Sequence, residues 1–225
     1  MNKFIFVAFA LFAVVSFVQC TDNDDYLEKV KSKHIRKYLR NRKDTLDSGL
    51  SKLEEHCPGV SEKLKDALVA FGECDDRVDD SLTICDAIQS ATLNCTQPLI
   101  KVVDDCLPEK AKGLPLLGIK SVLSVSDFLC KQNGEAIFEL LNPCLWEDLE
   151  ESNEQINECE EKVTSKLKQH KDSIPSPSEV CSVVTSMRTC VRTRTEKTCK
   201  NAKTRNVAIG LYDAVVAPCS SINQV

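Results

Sequence analysis

Histidine is almost missing from this chain of 225 residues: His34, His56 and His170 are all there is. Each sits among charged and polar neighbours with no motif around it, so a histidine-assisted nucleophile or a histidine-built metal centre has little to draw on. No Gly-x-Ser-x-Gly, His-Glu-x-x-His or phosphate-binding glycine loop occurs. Glycine is scarce, aromatic residues make up 5%, and period-two alternation is rare, which excludes the pattern of an all-β chain. No two cysteines beyond Cys20 lie closer than nine positions. That excludes the close Cys-x-x-Cys spacing of structural zinc and of thiol redox sites. Paired carboxylates are numerous, but on this scale they are solvated helix faces. The chain therefore reads as a protein without catalysis, cofactor or metal.

What is present begins with a leader. Lys3 precedes an apolar run from Phe4 to Val18, of signal-peptide length and short of the roughly 20 residues a spanning helix needs. Val18 and Cys20 suit the −3 and −1 positions of a cleavage site before Thr21. Residues 1–20 are read as this signal peptide, and no later stretch reads as long and apolar enough to span a bilayer. Cleavage removes Cys20 and leaves an even set: Cys57, Cys74, Cys85, Cys95, Cys106, Cys130, Cys144, Cys159, Cys181, Cys190, Cys199 and Cys219. A secreted chain with that set is expected to be fully disulfide-bonded. Neighbours nine or more apart cannot pair within one helix, where nine residues rise about 13.5 Å against the roughly 4.4–6.8 Å that a bridge tolerates between Cα atoms.

The apolar spacing predicts an all-α fold, a disulfide-crosslinked helical bundle. Residues 21–56 form a basic segment with Tyr26, Val30, His34 and Tyr38 on one stripe. Pro58-Gly59 opens a helix with Val60, Leu64, Leu68 and Phe71 on one face. Leu82, Cys85 and Ile88 mark another. Pro98 is read in the first turn of a further helix, where Leu99, Val102, Val103 and Cys106 follow helical spacing. Gly113-Leu114-Pro115 reads as a break before helices at 119–129 and 137–141. Two long helices follow across the connector Ile174-Pro175-Ser176-Pro177. The first, Leu145–Leu167, is acidic. The second is capped by Ser178 and carries Arg188, Arg192, Arg194, Lys197, Lys200, Lys203 and Arg205. Opposite charge and a short connector predict an antiparallel hairpin, and Cys159 and Cys190, nearly equidistant from Pro175, are expected to pair.

The chain also echoes itself. Glu73-Cys74-Asp75-Asp76-Arg77-Val78 matches Glu158-Cys159-Glu160-Glu161-Lys162-Val163 in residue type at each position. Pro143-Cys144 and Pro218-Cys219 close the two stretches alike. Residues 57–144 and 145–225 are read as two related cysteine-rich halves packed together.

Three places invite function. The basic run Lys29–Lys43 suits an anionic surface; Arg42-Lys43 within it is a dibasic pair open to processing. Asn94-Cys95-Thr96 is the one glycan sequon. Leu114–Leu145 is the most apolar stretch after the leader, and Leu116, Leu117, Val122, Leu123, Phe128, Leu129, Ile137, Phe138 and Leu141 would line a small lipophilic pocket if they do not simply fill a core. Loss of Lys3 with the leader takes the formal net charge from −5 to −6, and acidity with secretion argues against nucleic acid.

The leader, the length, twelve spaced cysteines in a helical chain and Cys57-Pro58 resemble the insect 27-kilodalton haemolymph glycoprotein family, over about residues 50 to 219. The resemblance implies secretion into haemolymph and a disulfide-bonded fold, and it brings no functional residues. Insect odorant-binding proteins are a weaker likeness, because their Cys-x3-Cys pair is missing. The expected function is a secreted, non-enzymatic haemolymph glycoprotein that binds a protein or an anionic surface. The alternative is an extracellular carrier of a lipid or hormone in the 114–145 pocket.

Overall fold

The computed structural model describes residues 57–79, 81–145 and 174–221, together with Glu54 and Ser165. Among these residues there is no strand, and the fold is all-α. Six helices are present: α1 Val60–Asp75, α2 Ile84–Cys106, α3 Leu114–Cys130, α4 Gly134–Glu139, α5 Pro177–Thr198 and α6 Ala202–Val216. Three 3-10 turns, Glu109–Ala111, Pro143–Leu145 and Ala217–Ser221, punctuate them. The basic segment 21–56, apart from Glu54, and nearly all of the acidic stretch after Leu145 lie outside the described residues, as do all three histidines.

The chain forms two compact units, Met1–Ile119 and Lys120–Val225. Their boundary falls inside α3, whereas the sequence halves divide at 144/145. The reason lies in how 134–145 is held. Cys144 is bridged to Cys199, and Asn142 donates to Thr204 Oγ1 at 3.3 Å. The second unit thus claims the end of what reads as the first half.

In the first unit α1 packs on α2. Gly59 takes the left-handed φ of 79° at the N-cap of α1, a conformation open to glycine at little steric cost. Glu54 accepts hydrogen bonds from the amides of Gly59 and Ser61 and from the Ser61 hydroxyl, and these bonds hold its carboxyl below the usual range. The expected face of α1 is the one that is buried: Val60, Leu64 and Leu68 join Leu99 and Val103 of α2 in the core, with Phe71 packed against them. Two bridges fix this hairpin. Cys57–Cys106 ties the turn that precedes α1 to the end of α2, and Cys74–Cys95 ties the end of α1 to the middle of α2. Those pairings require antiparallel helices.

α2 is one helix where the sequence reads as two. Thr83 caps it by accepting from Asp86 N, and Pro98 lies in its interior, not in a first turn. Proline there removes the amide that would reach the Asn94 carbonyl. Burial of Cys95, Thr96, Leu99, Ile100 and Val103 carries the helix across that gap, because packing outweighs propensity. A second departure concerns Gly113. It takes φ 85° and donates to Asp104 Oδ1 at 2.9 Å, and α3 begins directly after it. As a result Glu109–Cys130 becomes a helical run long and apolar enough to cross a membrane. Gly113-Leu114-Pro115 predicts a break there and no such run. Leu114, Leu117 and Ile119 of this run are buried within the protein, as is 28% of its most apolar window.

In the second unit α5 packs on α6, and α4 packs on α6. Ser176 caps α5 in a full capping box with Glu179, with Pro177 in the first turn. The cap lies two residues before the expected Ser178, because Ser176-Pro177-Ser178-Glu179 is the sequence that satisfies both halves of the box. α5 ends at Thr198, and Asn201 restarts the chain as the N-cap of α6. Cys181–Cys219 closes the open end of this hairpin, as Cys57–Cys106 closes that of the first. Arg188 grips Asp213 through two bonds of 2.5 and 2.6 Å, and Tyr212 donates its hydroxyl to the Val184 carbonyl. Burial and the neighbouring Asp213 push the Tyr212 phenol above its ordinary range. Gly210 admits Phe128 of α3: a Cβ at 210 would lie 2.7 Å from the ring.

Candidate functional site

α4 supplies the candidate surface. Asn133 caps it by accepting from Ala136 N at 2.8 Å. One side of the helix is fastened to α6. Ala136 is buried, the Glu139 carboxylate accepts from the fully buried Thr204 hydroxyl, and Glu135 pairs with Lys203. A six-residue helix held this way has its other side left over. There Phe138 is 72% exposed, Leu141 70% and Ile137 42%. Leu141 N donates to the Phe138 carbonyl, so the helical turn continues and places Leu141 beside Ile137 and Phe138.

The expected lipophilic pocket is therefore divided. Leu117 is in the core, Leu116, Val122, Leu123, Phe128 and Leu129 are half-buried, and Ile137, Phe138 and Leu141 face outward. Those last three do not line an enclosed space. Apolar character alone says nothing of direction; the polar residues Glu135, Glu139 and Asn142 decide it by reaching Lys203 and Thr204.

The basic run 188–205 is largely occupied within the second unit. Arg188 holds Asp213 and draws its carboxyl below the ordinary range, with Arg192 adding to the effect. Lys203 holds Glu135, and Arg205 donates to the carbonyls of Cys199 and Lys200. α6 is the described partner of the basic helix; the sequence offered no amphipathic signal for it beyond Asn201 and the stripe Thr204, Val207 and Ala214.

Bridges among the described residues include Cys57–Cys106, Cys74–Cys95, Cys144–Cys199 and Cys181–Cys219. Cys85, Cys130 and Cys190 are disulfide-bonded as well. The expected Cys159–Cys190 pair cannot be placed, since Cys159 lies outside the described residues. Asn94 is exposed in the middle of α2, directly before the bridged Cys95 and the buried Thr96. Among the described residues no group of three or more histidine, cysteine or acidic side chains is arranged to hold a metal ion.

No curated protein and no solved structure matches the chain. Residues 82–220 match the family described as a protein of unknown function, DUF1397, and since that is more than half of its length the chain belongs to this family.

Proposed function

We propose that the protein is a secreted, non-enzymatic haemolymph glycoprotein that binds a protein partner through the apolar edge of α4. The outward placement of Phe138 and Leu141 carries the reading. Soluble proteins expose single apolar residues freely, but a contiguous aromatic and aliphatic group on a short pinned helix has the composition of an interface core. The bridges support the extracellular part, because so dense a set persists in oxidising compartments. An anionic-surface partner would use Lys29–Lys43, which lies outside the described residues; in the other basic run Arg188, Lys203 and Arg205 already have partners within the unit. The carrier reading has less support, because Phe128 fills the space that Gly210 leaves and Ile137, Phe138 and Leu141 of the expected pocket are exposed.

Sedimentation velocity of the labelled, purified protein added to cell-free body fluid tests this. Wild type is expected to sediment as a larger complex, Phe138→Asp and Leu141→Asp as the free protein, and Ile84→Asp, at an exposed apolar site of the first unit, as wild type. Identical behaviour of all four would refute the α4 surface. Solvent-extractable mass on the native protein would restore the carrier.

A further inference from the structure

The sequon Asn94-Cys95-Thr96 is built into the fold in a way that bears on when it can be modified. Glycan acceptors ordinarily lie on surface loops. Here the sequon is in the interior of α2. Thr96, the residue that makes Asn94 an acceptor, is 1% exposed, and its hydroxyl donates to the Thr92 carbonyl at 2.6 Å. Cys95 between them is 4% exposed and bonded to Cys74. The folded sequon therefore shows a transferase the Asn94 side chain and hides the hydroxyl by which it is read. Yet Asn94 shares an exposed stripe with Ser90, Gln97, Lys101 and Asp105, so a glycan attached earlier stays in solvent when α2 docks.

We infer that Asn94 accepts a glycan only while Cys95 is still a thiol, and that closure of Cys74–Cys95 ends its availability. The inference rests on the secreted reading above. In the transfer, the Asn94 carboxamide nitrogen forms a bond to the anomeric carbon of a lipid-linked oligosaccharide pyrophosphate. The carbon–oxygen bond to pyrophosphate breaks, the lipid pyrophosphate leaves with the electron pair, and an amide proton passes to a base of the transferase. Nothing is oxidised or reduced.

The order of synthesis makes this a race. Cys74 precedes Cys95 by 21 residues, so the bridging partner is already in the lumen when the sequon arrives. At about 5–20 residues per second that interval is seconds, and bridge formation itself takes seconds or longer. Before α1 packs against it, α2 is an isolated helix and marginal in water. Pro98 weakens the turn that contains Asn94 further, by withholding the amide its carbonyl would accept. The bridge and the packing that accompanies it are what close the window.

Cell-free translation of the full chain with microsomes, with and without dithiothreitol, tests the order. Leader removal is read by mass and the glycan by an endoglycosidase-sensitive gel shift. Oxidised wild type is expected to be a mixture. Occupancy is expected at least to double with reductant or in Cys74→Ala, to stay unchanged in Cys181→Ala, whose bridge is in the other unit, and to vanish in Asn94→Gln. The readout does not require Cys74→Ala to fold. Equal occupancy in wild type and Cys74→Ala, an equal rise in Cys181→Ala, or no glycan on an imported, cleaved chain would overturn the inference. An uncleaved chain left outside the vesicles would instead overturn the secreted reading beneath it.

Discussion

Gly210→Ala sets two known effects against each other at one position. Alanine in a helix interior is favoured over glycine by about 1 kcal/mol. The new Cβ, however, would lie 2.7 Å from Phe128 Cε2 and 2.9 Å from Cζ, where carbon atoms prefer roughly 3.5–4.0 Å. The ring edge must retreat by nearly an ångström in a half-buried site, and overpacking of this kind costs about 1–3 kcal/mol. The net expectation is destabilisation by about 1 kcal/mol. Phe128→Leu removes the obstructing ring edge. In that background Gly210→Ala should keep the propensity gain and stabilise by up to about 1 kcal/mol. The coupling between the sites is then about 2 kcal/mol, within the range for residues in contact. Urea unfolding of the oxidised proteins, followed by circular dichroism, measures all four corners of the cycle; an unchanged denaturant slope is required for the comparison. If Gly210→Ala stabilises wild type, or acts identically in both backgrounds, Phe128 does not fill the space beside α6. The argument against a ligand cavity there would fall with it.

Three further outcomes are expected. Leu64→Ala, at a site 4% exposed in the first-unit core, should lower unfolding free energy by about 2–5 kcal/mol in the same assay; a loss below about 1 kcal/mol would mean the site is not packed as described. Ser176→Ala should cost about 1 kcal/mol by removing the capping box of α5, whereas Ser178→Ala should cost much less, and the reverse order would restore Ser178 as the cap. Asp213 has a carboxyl lowered first by its hydrogen bond from Arg188, so its contribution is present above the unfolded carboxylate range near pH 3.9 and is lost as pH falls through the lower folded value. The stability difference between wild type and Asp213→Asn should therefore shrink under acid, and a difference that grows on acidification would show the pair is not formed.

Legibility in the sequence followed the strength of the local signal. α1 was readable because Val60, Leu64, Leu68 and Phe71 repeat at helical spacing, and that stripe is the core face. α2 reads as two helices because Pro98 is a valid opening residue, and only the buried contacts around it show that the helix continues. α6 is hard to read because its inward residues are small or polar: Thr204 is fully buried and bonded to Glu139 and Asn142, with little apolar character to mark it. The candidate surface failed to read for the converse reason. Ile137, Phe138 and Leu141 have core composition, and their direction is set by polar partners some 65 residues away. Asn94 was readable as an acceptor, but the burial of Thr96 beside it was not.

Cys57–Cys106 has a mechanical consequence. A pull on the chain from both sides of the first hairpin enters at one sulfur and leaves at the other, so α1 and α2 carry no tension. The 49 residue steps between these cysteines would otherwise pay out about 170 Å of extended chain. With the bond intact that length stays hidden, and the hairpin core keeps its shape under loads that straighten whatever flanks it.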